Sequence, residues 1–254
     1  MTINPMDLSG KRILVTGASS GIGKVAAQLF SKLGAKVVVL ARNEDRLQAT
    51  LKSLEGNGHG LYIFDLNALD EIPALLKSIS QEQGPLNGLF HCAGIVVTHS
   101  LAILKEKYIE NCFASSIKAA LLLTRGFCQK GVRALGSASL VYMSSVAGLC
   151  GVAGMSIYSA SKAAVDGAVR SLAVELAPRD IRINSIAAAG LKSVLYEEHV
   201  KSFTKEELTI NDRKHLMGFG TPEDVALAAG FLLSDASKWI TGTTMIVDGG
   251  YSCT

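Results

Sequence analysis

Tyr158 and Lys162 stand four residues apart in a stretch, residues 155–176, that reads as one amphipathic helix. That spacing sets both side chains on one face of the helix, close enough to interact. A phenol with an ordinary pKa of ~10 is a poor acid–base catalyst near neutrality, and a neighbouring ammonium favours its phenolate. The pair is therefore suited to moving a proton. Ser145 lies 13 residues earlier, at the end of a strand-like run, where its hydroxyl could hold a carbonyl oxygen at the same point. The plain alternative is an ordinary tyrosine and lysine in a helix, since Tyr-xxx-Lys arises often by chance.

The elements that would position these groups are legible as periodicity. Seven short apolar runs, at residues 12–17, 36–41, 60–65, 87–94, 139–145, 181–186 and 244–250, read as buried strands. Between them lie longer stretches with apolar residues at helical spacing, such as GKVAAQLFSKLG. Alternation of this kind calls for right-handed βαβ crossovers, and so for an α/β fold with a doubly wound (Rossmann) parallel sheet, helices on both faces and a single domain over residues 1–254. The least regular stretch, residues 191–220, is rich in charges and reads as a partly helical excursion that would act as a substrate lid.

In such a sheet a ligand sits beyond the carboxyl ends of the strands. The first turn there is TGASSGIG, residues 16–23. Gly17 permits a tight turn off the strand, Gly21 lets backbone amides approach a pyrophosphate, and Gly23 lets the following helix pack closely on the sheet. A glycine-rich turn without a ligand is the bland reading; its place after the first strand favours a dinucleotide. At the end of the second strand, where an acid would accept from a ribose 2′-hydroxyl, Arg42 follows Ala41. An arginine there suits a 2′-phosphate, which points to NADP(H) ahead of NAD(H), with Asn43 assisting. A solvated arginine at a helix start is the alternative. Asp65, after the third run, is placed either to accept from the adenine amino group or to cap a helix.

Composition limits the partners. The 254-residue chain is 48% hydrophobic and carries a formal charge of +3 with no basic run, which argues against nucleic acid. Its five cysteines show neither CxxC nor metal-type spacing, so they read as reduced cytosolic thiols and no metal site is expected. No apolar run approaches the ~18 residues of a membrane span, and the amino terminus lacks the pattern of a signal peptide. A cytoplasmic protein acting on a small molecule is the expectation, with no membrane partner.

Taken together, TGASSGIG, Asp65, the CAG at residues 92–94, SSVAG with Ser145, YSASK, the RIN at 182–184, GTPEDVA and ITGTTMIVDGG resemble the short-chain dehydrogenase/reductase family. They occur in the family's order and spacing, nearly from end to end, and the general look is that of the 3-oxoacyl-carrier-protein reductase-like members. The resemblance implies that NAD(P)H passes hydride to a carbonyl carbon while Tyr158 protonates the oxygen. Lys162 would lower the tyrosine pKa and bind the nicotinamide ribose, and Ser145 would position the substrate. It also implies cofactor contacts from Ser19, Ser20 and Ile22 in the first turn, from Leu66 beside Asp65, from Ala93 and Gly94, and from Ala189 and Ser193 after the sixth strand.

Three departures from the family pattern stand out. His91 and Cys92 replace a pair of amides, with His91 read as structural. Ala188 and Ala189 replace Pro-Gly, which predicts a looser loop near the nicotinamide. Ser116 replaces a helix asparagine that holds a water in the proton relay, and is counted with the catalytic group. A cofactor-binding regulator with weak or lost turnover is the alternative function. A sugar-nucleotide epimerase or dehydratase shares the fold and the Tyr-xxx-Lys pair. Ala160, Ala163, Ala164, Gly167, Ala168 and Ser171 form a small-residue face, explained either by core packing or by a neighbouring subunit; the resemblance implies a homo-oligomer, tetramer or dimer.

Overall fold

A computed structural model of the chain describes residues 4–191 and 204–254. The apolar runs form β1 (Arg12–Thr16), β2 (Lys36–Ala41), β3 (Gly60–Ile63), β4 (Gly88–His91), β5 (Ala138–Ser145), β6 (Ile181–Ala188) and β7 (Thr244–Val247). They make one parallel sheet in the order β3-β2-β1-β4-β5-β6-β7. The strand order reverses between β1 and β4, and that is where a doubly wound sheet opens a crevice.

Alternation along the strands supplies both faces. Ile13, Val15, Val37, Val39 and Val141 point into one core, with Ala26 and Phe30 of α1 (Gly21–Lys32) and Val225 and Ala229 of α8 (Pro222–Leu233). Leu14, Val38, Leu40 and Leu140 point the other way. They meet Leu76 of α3 (Ile72–Gln83), Leu123 of α5 (Ala119–Phe127), and Val165 and Val169 of α6 (Ser156–Leu176). Each face is fully dry, so a truncation such as Leu14→Ala would cost about 2–5 kcal/mol. Arg182 and Asn184 explain the RIN run. Arg182 donates to the Leu232 and Ser234 carbonyls at the end of α8, and Asn184 bonds Ile240 and Thr243 ahead of β7.

The sheet departs from the sequence expectation at its ends. β3 stops at Ile63, β4 at His91 and β7 at Val247, each short of the run read from the sequence. β6 instead continues to Ala188, which pairs with Ser145 and Val247. The looser loop expected there is thus corrected: Ala188 keeps the N–H that a proline would remove, and the ladder holds through it.

The small-residue face of α6 is settled as well. Ala160, Ala163 and Ser171 are exposed, and Ala164, Gly167 and Ala168 are partly exposed, while Val165, Val169 and Ala173 carry the core contacts. Core packing therefore does not account for that face. The excursion at 191–220 has its ends joined by a parallel bridge between Leu191 and Gly220, and it includes α7 (Lys205–Lys214). Among the described residues, no helix is long and apolar enough to cross a membrane.

Candidate active site

The carboxyl ends of the strands open onto a cleft of about 1800 Å³. At one end the first turn does what its glycines allow. Gly17 (φ +70°) and Gly21 (φ +51°) take left-handed backbone, and a Cβ on Gly23 would stand 2.3 Å from the Gly17 carbonyl oxygen. α1 starts there with no side-chain cap from Ser20 and no acidic residue in its first turn, so its leading N–H groups face the cleft without a protein acceptor of that kind. A Cβ on Gly21 would meet nothing within 4 Å, which leaves a cradle of bare amides and open space that fits a diphosphate. Ser19, Ser20 and Ile22 line the same cradle.

Further along, the Arg42 guanidinium lies 3.8 Å from the Asp65 carboxylate, both side chains being largely open to solvent. An exposed pair of this length holds little energy and is easily redirected by a ligand. Asn43 accepts from the Arg46 N–H and so caps α2 (Glu44–Lys52). Asp65 accepts from the Asn67 N–H, closing a turn instead of capping a helix. Lys24 and Arg46, which sequence reading passed over, also line this end, and Asp65 is the only acidic residue among the described lining.

At the other end β5 delivers Ser145 and α6 delivers Tyr158 and Lys162 into one wall. Ser145 Oγ donates to the Ala188 carbonyl at 3.4 Å and accepts from the Ala147 N–H at 3.2 Å. Burial pushes the Tyr158 phenol up to about 12, opposed by a hydrogen bond with Ser145. Lys162 sits with Nζ 5.5 Å from the centre of the tyrosine ring and donates to the Met143 carbonyl at 2.8 Å. Its pKa is lowered by burial, against nearby Cys92, Cys112 and Asp166. Desolvation is thus the dominant effect on the phenol in this structure.

Asp166, one turn on and buried, accepts from Ser144 at 2.9 Å and Ser185 at 2.7 Å, which fixes α6 against β5 and β6. The role of this carboxylate was not legible in the sequence because both partners are distant in the chain.

The family model described as enoyl-(acyl carrier protein) reductase matches residues 17–252. The 3-oxoacyl-[acyl-carrier-protein] reductase of Rickettsia prowazekii is 33% identical over 246 residues, covering 96% of this chain and 98% of the relative. The chain belongs to the short-chain dehydrogenase/reductase family. The L-xylulose reductase of Caenorhabditis elegans is 32% identical over 248 residues, 97% of each chain. A structure described as an NAD(P)-dependent gluconate 5-dehydrogenase from Beutenbergia cavernae, with NADP bound at low occupancy, superposes with a TM-score of 0.90 at 26% identity, covering 99% of this chain and 100% of the other. As a short-chain dehydrogenase/reductase, the protein is an NAD(P)(H)-dependent carbonyl/alcohol oxidoreductase.

Where this short-chain dehydrogenase/reductase departs from the family's amides, the structure shows a compact polar knot behind Lys162. Thr16 Oγ1 accepts from the Cys92 and Ala93 N–H groups, both at 3.2 Å, so its own proton goes to His91 Nδ1 at 2.8 Å. His91 Nε2 then carries the ring proton, and it has no hydrogen-bond partner. Burial, followed by the charge of Lys162, lowers the His91 pKa to about 3, so the ring is neutral. Burial likewise raises the Cys92 thiol to about 12, which leaves it unreactive. Ser116 is buried in a π-helical turn, Ala114–Lys118, between α4 (Glu106–Phe113) and α5, and its Oγ also lacks a partner. From this stretch Asn111 and Ser115 line the cleft, and Ser116 stands behind it.

Leu66, Ala93, Gly94 and Ala189 line the cleft as expected. Ser193 lies outside the described residues. His215, Lys214 and Tyr251 line the wall as well. His215 was missed because HLMGFG, just past the charged helix of the excursion, carries no motif, and Tyr251 because it lies 36 residues further on.

Proposed function

We propose that the protein reduces a small-molecule ketone with NADPH, using NADP(H) in preference to NAD(H), with Tyr158 as general acid and base. The observation that carries this reading is the meeting, in one cleft, of the uncapped start of α1 with the Ser145 and Tyr158 hydroxyls. The cradle at residues 17–23 would hold the diphosphate, and Arg42, supported by Lys24 and Arg46, would meet a 2′-phosphate. Asn43 orients that corner as a cap, and the second carboxylate oxygen of Asp65, 3.8 Å from Arg42, would accept from the adenine once Arg42 turns to the phosphate. When bound, the reduced nicotinamide supplies a hydride.

Everything else falls to side chains of this chain. Ser145 holds the substrate oxygen, Tyr158 gives it a proton, and Lys162 binds the cofactor ribose and supports the phenol as the proton leaves. A phenol near 12 is protonated at neutral pH, which is the form that reduction requires. Ser116 and His91, both with an unmet polar atom, border the path by which the proton is replaced. The 191–220 segment, clasped at Leu191 and Gly220, would act as the lid over the substrate. The outward small-residue face of α6 accepts a second copy of the chain.

The test is to follow NADPH oxidation with a panel of ketones. Turnover that disappears in Tyr158→Phe while NADPH still binds supports the reading. Binding without turnover in the wild type overturns it and leaves a cofactor-binding regulator.

A further inference from the structure

Among the lysines and arginines of the described cleft lining, Lys214 is the one that the reading above leaves without a task. Lys24, Arg42 and Arg46 line the corner of Asp65, and Lys162 stands beside the phenol. Lys214 enters from the end of α7. Ile210, Asn211, Lys214 and His215 recur at helical spacing and all line the cleft, whereas Asp212 and Arg213 are exposed and do not. One face of the helix end is therefore turned inward, and Lys214 is on it.

Two contacts put that face at the substrate end. A Cβ on Gly190 would stand 2.6 Å from the His215 ring, so the end of α7 packs on the loop after β6. Gly190 is two residues from Ala188, whose carbonyl accepts the Ser145 hydroxyl. Lys214 Nζ stands 5.5 Å from the centre of the Tyr251 ring. Burial, and after it nearby Cys150, raises the Tyr251 phenol, so Tyr251 is a protonated donor at neutral pH beside the loop that follows Ser145.

Both donors are available to a ligand. Among the described residues Lys214 makes no ion pair and no hydrogen bond, its one contact of this kind being the tyrosine ring. A ring face attracts an ammonium without neutralising it. Tyr251 Oη likewise has no hydrogen-bond partner among the described residues, and it is not sealed from solvent. Asp248, in the turn before Tyr251, gives its carboxylate to the Gly250 and Ser252 N–H groups and lies outside the lining. The wall around the two donors is apolar, with Val152, Ala153, Met155, Leu191 and Ile210.

We infer that Lys214 and the Tyr251 hydroxyl together hold a carboxylate of the substrate, and that the physiological substrate is an oxo acid with an apolar body. Two donors, one of them charged, suit the two oxygens of that group. The inference rests on the oxidoreductase reading above. The other anion able to arrive in this cleft is the cofactor diphosphate, and the test separates the two.

Oxo acids of increasing chain length, each matched with its own primary amide, are compared by kcat/KM, and NADPH affinity is measured in parallel. Lys214→Met keeps the apolar stem and removes the charge, with Lys214→Gln in its place if that variant does not fold. Lys214→Arg keeps the charge, and Tyr251→Phe keeps the ring and removes the hydroxyl. The expected result is a wild-type preference for the acid of about 10–100-fold, residing in KM. It should collapse towards one in Lys214→Met, be largely kept in Lys214→Arg and fall several-fold in Tyr251→Phe. A merely structural role would slow acid and amide alike and leave their ratio unmoved. The inference is overturned if the wild type shows no preference, if Lys214→Met keeps it, or if Lys214→Met loses NADPH affinity in place of the preference, which would assign the ammonium to the cofactor. A wild type that oxidises NADPH with neither acids nor amides nor any other ketone removes the oxidoreductase reading, and this inference with it.

Discussion

The Lys162 ammonium stands 5.5 Å from the centre of the Tyr158 ring and gives its 2.8 Å hydrogen bond to the Met143 carbonyl. The lysine thus spends that bond on the backbone while burial desolvates the phenol, which rises to about 12. Alcohol oxidation, which needs the phenolate, should speed up nearly tenfold per pH unit from neutrality upwards, whereas ketone reduction should stay level. Steady-state rates in both directions across pH check this. A level oxidation profile would count against Tyr158 as the base.

His91 makes the fold sensitive to acid. Its pKa drops from the ordinary 6.5 to about 3 on folding, mainly through burial. A depressed pKa stabilises above the unfolded value and is lost as pH falls, so the loss runs from about 6.5 towards 3. The slope approaches about 1.4 kcal/mol per pH unit over that window. Denaturant unfolding at several pH values should show the slope in the wild type and a shallower one in His91→Asn.

Among the described residues Arg42 has one ion-pair partner, Asp65 at 3.8 Å, and its side chain is largely exposed. Replacing it with alanine should remove a charge-assisted contact to a 2′-phosphate, costing on the order of 1.5–3 kcal/mol in NADPH binding and little in NADH binding. Titration of both nucleotides against wild type and Arg42→Ala reads this directly. A wild type that binds NADH as tightly as NADPH would remove the role given to Arg42.

Ser116 is shorter than the asparagine its place calls for, and its hydroxyl is unpartnered. Ser116→Asn should raise kcat by extending a polar group towards Lys162 and leave NADPH affinity unchanged, while Ser116→Ala should lower kcat. An unchanged or lower kcat in the asparagine variant would show that the proton returns by another path.

Sedimentation tests the outward face of α6. The wild type should run as a dimer or tetramer at micromolar concentration, and Ala168→Arg, which places a charged side chain on that face, should shift it to monomer. A monomeric wild type would leave the face unexplained.

The sheet was legible because β-branched runs and helical spacing are local signals, and the first turn because its glycines and its place after β1 act together. The Ser145, Tyr158 and Lys162 group was legible for the same reason. Strand ends were read less well. β6 gains Ala187 and Ala188 from pairing with two neighbours, which no local pattern reports. His215 was out of reach because its packing depends on Gly190, a glycine 25 positions earlier that folding brings against it. The phenol's high pKa was missed for a related reason: the sequence shows the charge beside Tyr158 but not the burial around it.

Of the neighbouring strands in the sheet, only β1 and β4 are not consecutive in the chain. β1 to β3 can assemble from near neighbours, and so can β4 to β7, but joining the halves closes a loop of 75 residues, as between Thr16 and His91. Long-range closure of this kind carries its entropic cost before its contacts reward it. The cleft is built across this seam, with the glycine turn on one side and Ala93 and Gly94 on the other. The ability to hold a dinucleotide therefore requires that this seam be closed, and a bound nucleotide would rivet together the two sides of it.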